Sequence, residues 1–94
     1  MTTEIVRLPD RQRFELLVDG VPAGHLSWFM KGGVTVLDHT IVKPDFGGQG
    51  LGSVLARGVL DVMRTRGKPY AVDCPFLREW VAKNPEYSDV PLWT

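Results

Sequence analysis

A chain of 94 residues, 44% hydrophobic and 23% charged, has the balance expected of one small soluble globular domain rather than of a disordered chain. Eleven basic residues offset eleven acidic ones, so the broad positive field of nonspecific nucleic-acid binding is missing, and no apolar run approaches the roughly 20 residues of a membrane span. A single cysteine, Cys74, excludes an internal disulfide and a multi-cysteine metal site, and His25 and His39 lack companion ligands for a metal.

The opening Met1-Thr2-Thr3-Glu4 shows no basic segment leading into an apolar one, so a cytoplasmic protein is expected. Ile5 to Leu8 offers a short strand. From Arg13 to Val18, Phe14, Leu16 and Val18 alternate with Arg13 and Glu15, the period of a strand with one buried face. Asp19-Gly20 supplies a hairpin turn into the run Val21 to Met30, and Lys31-Gly32-Gly33 supplies a second turn into Val34 to Val42. The expectation is an antiparallel meander of three strands, with Ile5 to Leu8 as a fourth.

Pro44 stops the last of these strands. Leu51, Val54, Leu55, Val59, Val62 and Met63 then recur at helical spacing up to a stop at Gly67. Tyr70-Ala71-Val72 is short and β-prone. Asp73-Cys74-Pro75 opens a second helix with Pro75 near its first position, Phe76, Leu77, Trp80 and Val81 give that helix an apolar stripe, and Pro85 ends it. Repeats, linkers and low-complexity segments are lacking, so residues 1–94 read as one α+β domain, a strand meander followed by loop, helix, strand and helix.

Between the meander and the first helix lies Gly47-Gly48-Gln49-Gly50-Leu51-Gly52-Ser53, a loop almost without side chains. Glycines let the backbone turn tightly and approach a ligand closely, and the free N–H groups opening a helix form a partial positive pole suited to a diphosphate. A triphosphate loop needs a Lys before its final Ser or Thr, where Gly52 stands; a dinucleotide fingerprint needs a different glycine spacing inside an early βαβ unit.

Gln49-Gly50-Leu51-Gly52 opening a helix directly after a long strand resembles the pyrophosphate loop of the GNAT superfamily of acyl-CoA N-acyltransferases. His39-Thr40-x-Val42, Gly48-Gln49-Gly50-x-Gly52-Ser53, Cys74-Pro75-Phe76 and Pro85-Glu86-Tyr87, in that order, resemble the minimal single-domain subgroup over about the last two-thirds of the chain. The resemblance implies a strand ending near Val42 that splays from the next one near Val72, with the pantetheine arm in the wedge between them. It also implies the pyrophosphate on Gly47, Gly48, Gln49, Gly50, Leu51, Gly52 and Ser53. The backbone of Ile41 and Val42 would hydrogen-bond the peptide-like arm as an added strand, and an N–H near Val42 would polarise the thioester carbonyl. The implied activity is acetyl transfer from acetyl-CoA to an amine. A monomer or weak homodimer is expected, and the charge balance and the lack of a long apolar run argue against nucleic-acid and membrane partners. The chain departs from the pattern at Gly47, where Arg or Gln is usual, at Ile41, where Glu is common, and at Trp80 and Asn84, where Tyr and His are common.

Two residues are the candidates for catalysis. Cys74, after a strand and at the start of a helix, occupies a place where a thiol is activated; the alternative is a small buried apolar residue. It would protonate the departing thiolate or transiently accept the acetyl group. His39 shares a side-chain direction with Ile41 and would take the proton of the amine, the alternative being a hydrogen-bonded strand support. His25 reads as structural. Tyr87 reads as packing under the second helix or as a proton donor, and Trp28, Phe29 and Trp80 as core or pocket lining. Arg57, Arg64 and Arg66 either solvate the first helix or meet a nucleotide phosphate, and the sequence does not choose among them. Two further readings remain, a CoA-binding module without turnover and an interaction domain that uses strand edges or Pro91-Leu92-Trp93-Thr94.

Overall fold

The computed structural model describes every residue from Met1 to Thr94. Five strands form one sheet in sequence order, β1 (Thr3–Leu8), β2 (Arg13–Val18), β3 (Val21–Lys31), β4 (Val34–Val42) and β5 (Tyr70–Val72). The first four pair antiparallel, and β5 pairs parallel to β4. The expected fourth strand is therefore present and runs two residues further toward the N-terminus. Two helices, α1 (Leu51–Arg66) and α2 (Pro75–Lys83), follow β4 and β5 respectively.

The β2–β3 turn is made by Asp19 and Gly20, both with positive φ (50° and 83°), the backbone that a two-residue hairpin of this hand requires. Connecting parallel neighbours needs a crossover, and α1 supplies it. It ends at Gly67, whose φ of 66° places it in the left-handed region that closes a helix. In α2, Pro75 occupies the first turn, where its missing N–H costs nothing.

Both helices lie on one face of the sheet. Leu51, Leu55, Ala56, Val59, Leu60 and Met63 of α1 and Leu77, Trp80 and Val81 of α2 join Phe14, Leu16, Leu26, Trp28, Leu37 and Val72 in one core of twenty buried residues. Of the stripe read from the spacing of α1, Leu51, Leu55, Val59 and Met63 are buried against the sheet, Val54 and Val62 lie partly buried at its margin, and Ala56 and Leu60 complete the buried face. At about 1.5–3 kcal/mol per fully buried large apolar side chain, this core is the main source of stability. Gly58 sits where α1 crosses β1, and a Cβ there would lie 2.6 Å from Ile5 Cγ1. Neither helix is long and apolar enough to cross a membrane.

The outer edge of β5 is also occupied. Val72 donates its N–H to the Pro91 carbonyl at 2.8 Å and accepts from the Trp93 N–H at 2.8 Å, forming a parallel bridge with residue 92. Arg78 donates to the Trp93 carbonyl and holds the same segment against α2.

Candidate active site

β4 and β5 pair through only three residues, Thr35 with Tyr70, Val36 with Ala71 and Leu37 with Val72. At the end of that ladder the Leu37 carbonyl accepts two bonds, from Asp73 N–H at 2.9 Å and Cys74 N–H at 3.0 Å, and the chain then turns into α2. Beyond Leu37, β4 continues to Val42 paired with β3 alone. A gap therefore opens between β4 and the start of α2.

The parting has a local cause in β4. The β3–β4 register shifts between Ser27 and Trp28, so that Trp28 faces Leu37 while Ser27 faces His39, leaving Asp38 as the extra residue of a bulge. A bulge bends its strand and sharpens the twist. Ser27 Oγ donates to Asp38 Oδ1 at 2.7 Å and fastens the bulged residue to β3.

The bulge also decides which side chains line the gap. Leu37 points toward the helices with its partner Trp28; after the extra residue, Thr40 is the partner of the buried Leu26, so Thr40 and Val42 take the helix side. Thr40 Oγ1 lies 3.4 Å from Cys74 Sγ, within hydrogen-bonding reach. His39 and Ile41 share the opposite face, where both are exposed, Ile41 by 50%. The two predicted catalytic residues are thus not brought together: Cys74, only 3% exposed, stands on the helix side and His39 on the uncovered side. Thr40 is the polar partner of Cys74 that sequence alone did not single out, because its direction depends on the bulge.

Backbone direction along β4 is set by the same alternation. Lys43 donates its N–H to the Ala23 carbonyl of β3 at 2.8 Å. Strand backbone groups alternate sides, so Ile41 also turns toward β3, while the N–H and C=O of Thr40 and Val42 turn into the gap. Of the expected pair Ile41 and Val42, Val42 is the one whose amide faces the opening.

The glycine loop lies between the end of β4 and α1. Gly47 is extended (φ −65°, ψ 155°) and donates to Pro44 O at 3.0 Å, closing a short turn over Pro44–Phe46. Gly48 and Gly50 have φ of 76° and 71°, a backbone that L side chains rarely adopt, and a Cβ at either would meet nothing within 4 Å. Gly50 is the residue before α1 and makes no side-chain cap. The first backbone bond into the helix runs from Val54 N–H to Gly50 O at 3.3 Å, so the amides of Leu51, Gly52 and Ser53 have no backbone partner. The Leu51 side chain is buried in the core, which leaves that residue only its amide to offer, whereas Ser53 Oγ accepts from Trp80 Nε1 at 3.0 Å and keeps its own O–H as a second donor beside the amide. A Cβ at Gly52 would lie 3.0 Å from the Phe76 ring, so the small residue seats α2 against the start of α1. Gln49 is exposed at the tip.

This donor set fits the diphosphate and pantetheine of CoA: three free helix amides, a loop whose left-handed glycines leave the approach open, and an unpaired strand edge. Among the residues away from the gap, His25 is held below its ordinary pKa chiefly by burial and then by the Arg13 charge, which keeps it neutral. Tyr87 donates to Asp61 Oδ1 at 2.7 Å, and burial and then that bond raise its pKa. Its ring packs on Trp80 with centroids 5.0 Å apart. The packing reading of Tyr87 thus has direct contacts behind it.

Comparison with known proteins places these features in a wider group. No curated protein matches the chain. Its structure is similar to the solution structure of a GCN5-like protein from Staphylococcus aureus, with a TM-score of 0.66 and 25% identity over 97% of this chain and 89% of that one. It is also similar to the ribosomal-protein-S18-alanine N-acetyltransferase of Escherichia coli (TM-score 0.54, 26% identity), covering 64% of this chain but 39% of the enzyme. N-acetylglutamate synthase from Neisseria gonorrhoeae, solved with coenzyme A and N-acetyl-glutamate, shares the fold (TM-score 0.58, 19% identity), and the chain spans 21% of its length. The sequence model of the GCN5-related N-acetyl-transferases matches residues 13–90, from β2 through the parted strands and the glycine loop to the turn after α2, and the chain belongs to that family.

Proposed function

We propose that the protein transfers an acetyl group from acetyl-CoA to an amine. The observation that carries this reading is that β4 and β5 part at Leu37 at the same end of the sheet where α1 begins with three unpartnered amides. An extended arm carrying amides and a diphosphate has a complementary surface in each half. Membership of the family supports the same reading, as do neighbours solved with coenzyme A.

Bound acetyl-CoA would supply an activated carbonyl on a thiolate leaving group. In the proposed reaction the amine nitrogen bonds to that carbonyl carbon, the carbon–sulfur bond breaks, and its electron pair leaves on sulfur. The Val42 amide, turned into the gap, donates to the carbonyl oxygen as negative charge develops there. Cys74, beside Thr40 on the helix wall, gives a proton to the departing thiolate. His39, on the uncovered face, receives the proton of the amine, directly or through water, so acceptor and donor enter from opposite sides of β4. Holding the two reactants in this order supplies much of the rate.

The test is calorimetric titration with acetyl-CoA, with CoA and ATP as comparisons, followed by thiol release in the presence of a panel of amines. Saturable binding of both CoA forms but not ATP, with amine-dependent thiol release, is the expected result; no binding at millimolar acetyl-CoA overturns it. A second reading, acyl-CoA binding without turnover, is favoured by one observation: the exposed neighbour of His39 on the acceptor side is the apolar Ile41, which offers no proton acceptor. It predicts the same binding with no thiol release for any amine.

A further inference from the structure

A groove of about 360 Å³ runs between α1 and α2 on the side away from the sheet, bordered by Ser53, Arg57, Phe76, Trp80 and the Glu79–Lys83 pair. Its volume falls within the roughly 300–1,000 Å³ of small-molecule sites. It begins at the glycine loop, since Ser53 is the third residue of α1 and the Phe76 ring lies against Gly52. We infer that this groove takes the 3′-phosphoadenosine end of acetyl-CoA, with Arg57 on the 3′-phosphate and Phe76 against the adenine. The inference rests on the acetyl-CoA reading above and extends it from the diphosphate to the nucleotide.

Arg57 is a cation fixed in place with most of its donors free. One turn beyond Ser53 on the same side of α1, its guanidinium lies over the Trp80 ring at 5.4 Å and the Tyr87 ring at 5.3 Å. Its one hydrogen bond within the protein, to the Tyr87 hydroxyl, is long at 3.4 Å, and none of the five ion pairs includes it. A guanidinium has five N–H donors in a planar fork that matches phosphate. The carboxylate nearest to it through Tyr87, Asp61, is already taken by the Tyr87 O–H. Lys83 across the groove is bound to Glu79 at 2.8 Å, which leaves Arg57 as the uncommitted positive charge there.

The other two arginines of α1 fit less well. Arg64 is tied to Asp89 and to the Glu86 carbonyl, and Arg66 lies in the last turn, at the end of α1 far from the loop. Phe76 is 40% exposed at the first turn of α2, a large apolar ring left open where the groove meets the loop. Such a face suits stacking by a purine.

The experiment is calorimetry with CoA, 3′-dephospho-CoA and S-acetylpantetheine on the wild-type chain and on Arg57→Gln and Phe76→Ala. For the wild type, CoA is expected to bind about tenfold more tightly than 3′-dephospho-CoA, the size of one charge-assisted contact. Arg57→Gln should erase that difference, weakening CoA about tenfold and leaving 3′-dephospho-CoA within about twofold. Phe76→Ala should weaken both nucleotide forms by a similar factor of about five and leave S-acetylpantetheine unchanged. Equal wild-type affinity for CoA and 3′-dephospho-CoA overturns the assignment without needing any variant, as does an equal loss for both in Arg57→Gln. Binding of neither would overturn the acetyl-CoA reading itself, so the two failures are distinguishable.

Discussion

Replacing Gly50 by Glu and by Gln separates the ligand role of the glycine loop from its structural one. Gly50 has φ 71° and space around it, so either side chain fits sterically and each carries the left-handed penalty of about 1–2 kcal/mol. Glu places a negative charge beside the free amides of α1 and regains about 0.3–1 kcal/mol from the helix pole. Gly50→Glu is therefore expected to be as stable as Gly50→Gln, or slightly more so, in thermal unfolding without ligand. Binding should show the reverse order. A carboxylate about 5 Å from a phosphate costs about 1–3 kcal/mol for effective dielectric constants between water and a protein surface, which is roughly fivefold to a hundredfold in affinity. Calorimetry with acetyl-CoA at two salt concentrations is the assay, because added salt should narrow the gap between the Glu and Gln variants. Equal affinity of the two folded variants would refute the seating of the diphosphate on the amides of Leu51, Gly52 and Ser53.

Gly58→Ala places a methyl group 2.6 Å from Ile5 Cγ1, and overpacking of about 1–3 kcal/mol less a helix gain of about 1 predicts a net loss near 1 kcal/mol in urea unfolding. In an Ile5→Ala background the sign should reverse; an unchanged loss there would remove the contact as its cause. Cys74→Ala and His39→Ala are each expected to slow amine-dependent thiol release with the fold intact, and to combine additively in log rate because the residues stand on opposite faces of β4. Full activity in either removes that residue from the mechanism. His25 is held below its ordinary pKa, so the folded chain keeps it neutral while the unfolded chain protonates it near pH 6.5. Stability should therefore fall as pH drops below about 6.5 and level off below the folded value. His25→Gln should flatten that part of the profile, which a pH series of denaturation midpoints would read.

The elements were legible where a short period or a turn residue decides them. Phe14, Leu16 and Val18 alternate into the core, Gly67 ends α1 and Pro75 starts α2. The loop and its place before a helix were equally plain. What a linear reading lacks is parity across a bulge: simple alternation from Leu37 would put His39 and Ile41 on its face, yet Asp38 takes an extra place and hands that face to Thr40. Bulges are set by pairing with another strand, here the fit of Ser27 against Asp38, and no spacing within β4 encodes it. The groove between the helices was hidden for a similar reason, since Arg57 and Phe76 meet only when α1 and α2 pack.

The segment at residues 91–93 that bridges β5 bears on the order in which the molecule is made. One wall of the gap, β4, belongs to hairpins of neighbouring strands and can form from local contacts early in synthesis. The other wall starts from a strand of three residues whose outer N–H and C=O are satisfied by Pro91 and Trp93. The outer edge of that wall is thus covered only after translation has passed residue 93, and a nascent chain halted earlier would expose the Val72 edge to other strands.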